Sequence, residues 1–131
     1  MCDTVCLVVD DEEVIRNYLR VILERASIRV LEAENASQAM RIVEELGGLL
    51  DLLITDIRMP GHMDGVDLAY AIHRSYPTVP VILISGYFEE DSLQNGGAGF
   101  LFLRKPFSAD TLLGAARQAL ARRSTTSAGG A

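Results

Sequence analysis

The sequence predicts an α/β domain, a parallel five-stranded sheet covered by helices on both faces. Three observations predict it. Short runs such as Cys6-Leu7-Val8-Val9 and Val81-Ile82-Leu83-Ile84 are apolar throughout, as strands buried on both faces must be. The stretches between them carry apolar residues at helical spacing. The two kinds of segment alternate, which calls for crossover connections of one hand and one (βα)5 unit.

The elements follow in order. The first strand, Cys6 to Val9, runs into Asp10-Asp11-Glu12-Glu13. Val14, Tyr18, Val21 and Ile22, with Ile15 and Leu19 beside them, then recur at helical spacing. Arg29 to Ala33 is the second strand. Asn35 caps the next helix, with Gln38 three residues on, and Ala36, Ala39, Met40 and Val43 form its inner face. Gly47-Gly48 ends that helix. The third strand, Leu50 to Thr55, ends at Asp56, and Pro60-Gly61 marks a loop. Gly65 to Arg74 is helical, with Leu68, Ala71 and Ile72 on one side. Val81 to Ile84 is the fourth strand, closing at Ser85-Gly86. Residues 87–95 hold a short helix before Gly96-Gly97. Phe100 to Arg104 is the fifth strand, closing at Lys105-Pro106. Ser108 caps a last helix buried through Leu112, Leu113, Ala116 and Leu120. The domain therefore occupies residues 1–123, and 124–131, small and polar, form a flexible tail.

Bulk properties exclude several classes. A length of 131 residues fits one domain. A net charge of −6 argues against nucleic acid and against an anionic membrane surface as partners. No apolar run approaches the roughly 20 residues needed to span a bilayer, and no signal segment stands at the start. Cys2 and Cys6, four residues apart along a strand, are too far apart for a disulfide and too few for a zinc site. The expectation is a reduced, cytoplasmic protein.

The chemistry lies where strands end. Asp10-Asp11, Asp56, Ser85 and Lys105 follow the first, third, fourth and fifth strands. In open α/β sheets the ligand crevice lies outside the carboxyl ends of the strands, where strand order reverses. In the flavodoxin-like order 2-1-3-4-5, strands one and three are neighbours there, so Asp10, Asp11 and Asp56 converge beside Ser85 and Lys105. Gathered carboxylates repel, and a hard divalent cation relieves the repulsion; Mg2+ suits a site of one or two carboxylates and a phosphate. A carboxylate can also attack phosphorus. Taken singly, each residue has a blander role: acids at a helix start, an Asp in a turn, a Ser after a strand. Lys105 resists that treatment, because it is the only lysine against eleven arginines, and the two cations are not equivalent at a phosphate.

Val9-Asp10-Asp11-Glu12, Thr55-Asp56-Ile57-Arg58-Met59-Pro60-Gly61, Ile84-Ser85-Gly86 and Leu103-Arg104-Lys105-Pro106-Phe107, in that order, resemble the receiver domain of bacterial response regulators from Thr4 to about Arg123. The resemblance implies a stand-alone phosphorelay response regulator. Asp56 would take a phosphoryl group from a histidine kinase or histidine phosphotransfer protein. Mg2+ would be held by Asp11 and Asp56, by Asp10 through water and by the backbone carbonyl of Arg58. Ser85 would bond the phosphoryl oxygen and Lys105 would pair with it. Ser85 and Phe102 would form the switch, and the Lys105–Pro106 bond would be cis. The protein would catalyse only its own phosphorylation and dephosphorylation, signal by protein–protein contact, and be a monomer or weak dimer in the cytoplasm.

Two departures from the family pattern carry expectations. The loop before Asp64-Gly65 holds one extra residue, His62 or Met63, which implies a local bulge. The interval from Ser85 to Lys105 is short and glycine-rich at its end, which implies a short or frayed helix and puts the usual output face in question. Phe102 lacks a hydroxyl, so a switch based on a tyrosine hydrogen bond is excluded. Arg58 and Tyr87 fall where the family tunes phosphoryl lifetime. His62 and His73 read as solvated surface. Two rivals remain: a receiver-like interaction module indifferent to phosphate, and a small phosphatase of the haloacid-dehalogenase type. The second is disfavoured, because Arg58 stands where such enzymes carry a second Asp.

Overall fold

The computed structural model describes residues 4–59, 61–86 and 100–130, with side chains to residue 122. Its strands are β1 (Thr4–Val9), β2 (Ile28–Ala33), β3 (Leu52–Asp56), β4 (Val81–Ser85) and β5 (Leu101–Arg104). Among the described residues the α-helices are α1 (Glu13–Arg25), α2 (Ala36–Leu46), α3 (Gly65–Ser75) and α4 (Ala109–Gly130). The strands form one parallel sheet in the order β2-β1-β3-β4-β5. This is the expected flavodoxin-like three-layer sandwich. The short helix expected over 87–95, with Tyr87 and the glycines that follow, lies outside the described residues, as do Cys2 and Pro60.

Side-chain alternation along the strands separates two cores. Leu7, Val9, Leu53, Val81 and Leu83 pack with α2 and α3. Cys6, Val8, Leu52, Ile54, Ile82, Ile84 and Leu103 pack with α1 and α4. Because both faces are covered, the central strands β1, β3 and β4 need no polar positions until they reach an end. Burial lifts the Cys6 thiol far above its usual pKa, which leaves it an inert core residue.

Helix boundaries follow capping chemistry. Asn35 Oδ1 accepts the Gln38 N–H at 2.8 Å, and Gln38 Oε1 accepts the Glu34 N–H at 2.7 Å. Ser108 Oγ accepts the Thr111 N–H at 3.1 Å. Asp64 and Asp67 form a reciprocal capping box at the start of α3.

Two expectations need correction. The buried stripe of α1 is Leu19, Ile22 and Leu23, whereas Val14 is 77% exposed, Tyr18 42% and Val21 38%. Ala69, rather than Ala71, is buried on α3 beside Leu68 and Ile72. The backbone of α4 is helical to Gly130.

A candidate phosphoacceptor and cation site

The buried polar side chains among the described residues are Asp10, Thr55, Asp56 and Ser85. All stand at the carboxyl ends of β1, β3 and β4. Asp10 takes the next place in the row Cys6–Val8, and Asp56 the next in the row Leu52–Ile54. The rows belong to adjacent strands, in register Val9↔Thr55. The polar residues therefore begin where the helix cover stops.

The three aspartates do converge. Asp10, Asp11 and Asp56 each offer an oxygen within 4.8 Å of the other two. Lys105 Nζ lies 3.4 Å from Asp56 Oδ2. Strand β4 links the two halves: Ile57 N–H donates to Ile84 O at 3.0 Å, and Lys105 N–H donates to Ser85 O at 2.9 Å. The Lys105–Pro106 peptide is cis. Phe102 is half-buried against the α2–α3 core, in register with Leu83 of β4. Arg58 is exposed, and its backbone N–H donates to the Asp56 carboxylate. Asp11, Ile57, Arg58, Met59 and Asp64 line a cleft of about 420 Å3 at this edge.

The electrostatics are strained. Burial pushes the Asp10 carboxyl up to about 6; the Glu12 N–H lowers it, and the charge on Asp56 raises it. Asp56 is also raised by burial, against the opposing pull of Lys105. Asp10 Oδ2 and Ser85 Oγ are buried and have no hydrogen-bond partner among the described residues. Buried polar atoms are rarely left so. A divalent cation fits this donor set: hard oxygens, excess negative charge and an orphaned carboxylate oxygen.

Sequence reading passed over two contributors. Gly65 packs directly on the backbone of Asp56, where a Cβ would fall 1.8 Å from the Asp56 carbonyl oxygen. Arg16 bonds the Asp10 carbonyl at 2.7 Å. The extra loop residue leaves His62 exposed, at a second cleft that also contains Asp11. His73 is half-buried, not solvated, and stands edge-on to Phe100 with ring centroids 5.9 Å apart.

Residues 6–117 match the response regulator receiver domain family. A receiver domain protein of Clostridium thermocellum superposes with a TM-score of 0.87 and 31% identity, over 94% of this chain and 98% of that one. The regulatory protein ResD of Bacillus subtilis is 37% identical over 95% of this chain and 51% of its own length. The sensor kinase CckA of Brucella abortus is 38% identical over 78% of this chain and 11% of its own. The chain thus belongs to the response regulator receiver family of two-component systems. It spans only part of these curated relatives, from about a tenth to about a half of their length. Among the described residues no helix is long and apolar enough to cross a membrane.

Proposed function

We propose that this domain is a Mg2+-dependent phosphoryl acceptor that signals from Asp56. The observation that carries the reading is the meeting of three aspartates with one ammonium, 3.4 Å from Asp56. An Asp56 oxygen attacks the phosphorus of a phosphohistidine. The O–P bond forms as the N–P bond breaks, and the imidazole nitrogen leaves with the electron pair. Lys105 neutralises charge on the phosphoryl oxygens, and the Ser85 hydroxyl donates to one of them. Asp11, Asp56 and the Arg58 carbonyl, with Asp10 through water, would hold the Mg2+, which supplies further neutralisation of the transferred group. The added charge, about −1.5 to −2 for a phosphoryl group, draws Ser85 inward and lets Phe102 follow, biasing a two-state surface. The domain turns over no other substrate, works in the cytoplasm, and passes its signal by protein contact.

The decisive test is phosphorylation by acetyl phosphate with and without Mg2+, read on a phosphate-affinity gel. Wild type is expected to shift only with Mg2+, and Asp56→Asn not at all. A shift of equal size in Asp56→Asn, or none in wild type, defeats the reading.

The exposed residues of α1 support a protein donor. Val14, Tyr18 and Val21 lie on one helix face, and Tyr18 rests against Phe107, two residues after Lys105, at 6.1 Å between ring centroids. Exposed apolar residues grouped beside a site suit a partner surface. Val14→Asp with Tyr18→Ala should slow transfer from the phosphorylated kinase by about 10-fold or more and leave the acetyl phosphate reaction intact.

A further inference from the structure

The last hydrogen-bonded rung between β1 and β2 is Asp10 N–H to Ala33 O, at 3.1 Å. Beyond it β2 has ended and the chain turns into α2. The Asp10 carbonyl therefore has no ladder partner, although the residue is fully buried. Arg16 of α1 supplies the missing donor through Nη1, at 2.7 Å. Its Nε lies on Glu32 Oε1 at 3.3 Å, and the Arg16 side chain is only 13% exposed. Arg20 holds the other Glu32 oxygen at 2.6 Å and Asn17 Oδ1 at 2.9 Å.

This relay ends on the peptide that joins Asp10 to Asp11. Asp10 is fixed twice: its carbonyl by Arg16, and its Oδ1 by the Glu12 N–H at 2.8 Å. Among the described residues its Oδ2 finds no partner, within the aspartate cluster. The same peptide plane sets the direction in which Asp11 leaves the strand. We propose that Arg16 is a positioning residue for the acid pair and sets the divalent-cation affinity of the site. The inference rests on the reading that these aspartates hold Mg2+. An arginine suits the place because its rigid planar fork holds a carbonyl and a carboxylate in one fixed geometry, whereas an ammonium is a point charge on a flexible stem.

The sign of the effect separates positioning from charge. A guanidinium this close to an acidic cluster repels a cation. If charge were its role, Arg16→Gln would tighten Mg2+ binding; if it positions the acids, Arg16→Gln weakens it. The test is calorimetric titration of the full chain with Mg2+, beside urea denaturation without metal. Arg16→Gln is expected to bind about 10-fold more weakly, with partial recovery in Arg16→Lys and a smaller loss in Glu32→Gln. Ile22→Val, which loosens α1 without touching Asp10, should lower stability and leave affinity unchanged. Unchanged or tighter binding in Arg16→Gln overturns the proposal, and if that variant does not fold, wild-type affinity in Glu32→Gln and Arg16→Lys overturns it. Wild-type protein that takes up no Mg2+ defeats the underlying cation site instead.

Discussion

Gly65→Ala should cripple both the fold and phosphoryl acceptance. A Cβ at this position would sit 1.8 Å from the Asp56 carbonyl oxygen, 2.7 Å from its carbon and 2.9 Å from Ile57 Cα. All three are backbone atoms, so no side-chain rotation relieves the clash. Gly65 also donates its N–H to Ile57 O at 2.9 Å, so α3 cannot slide away from the end of β3 without losing that bond. The helix start and the end of β3 must part by roughly 1 Å, at a cost of about 3 kcal/mol, a large share of a domain's stability. A displacement of that size at a nucleophile can slow reaction about 100-fold. Urea denaturation and acetyl phosphate labelling in saturating Mg2+ check the two effects separately. An alanine variant with wild-type stability would show that the contact is not needed.

The sequence made the strand ends legible for a physical reason. A strand covered on both faces disfavours polar residues, so Val9 giving way to Asp10, Ile54 to Thr55-Asp56 and Ile84 to Ser85 marks the rim where cover stops. Lys105 was legible because every other basic residue is arginine. Less legible was the inner face of α1. Val14-Tyr18-Val21 and Ile15-Leu19-Ile22 both satisfy helical spacing, and period cannot say which stripe meets the sheet. Arg16 reads as a solvated cation until the end of the β1–β2 ladder is known, because the bond it replaces is missing for reasons set on another element, β2. Gly65 reads as the start of a helix; its closeness to Asp56 is a contact between two elements, with no trace in local composition. His73 looked like surface because nothing in its own helix announces Phe100, contributed by the approach to β5.

Asp10→Asn should stabilise the metal-free protein while it destroys cation binding. Asp10 is fully buried, and its carboxyl is raised from 3.8 to about 6, chiefly by burial. The folded state therefore holds a proton that the unfolded chain releases first. Stability contributed by the protonated group is fully present below about pH 4 and is lost as pH rises through about 6. Asp56 is shifted the same way and adds to the trend. Across that window the metal-free wild type should lose on the order of 2 kcal/mol. Asparagine keeps an oxygen for the Glu12 N–H, which Asp10 Oδ1 now accepts at 2.8 Å, and carries no charge. At neutral pH the variant should be more stable than metal-free wild type by a similar amount, with a flatter pH profile. Mg2+ should reverse the order: it offsets the buried charge in wild type and finds one anionic ligand fewer in the variant. Urea denaturation at mildly acidic and neutral pH, with and without Mg2+, reads all of this. If Asp10→Asn is the less stable protein without metal at neutral pH, the carboxylate is not the strained, cation-seeking group that its burial and its orphaned oxygen describe.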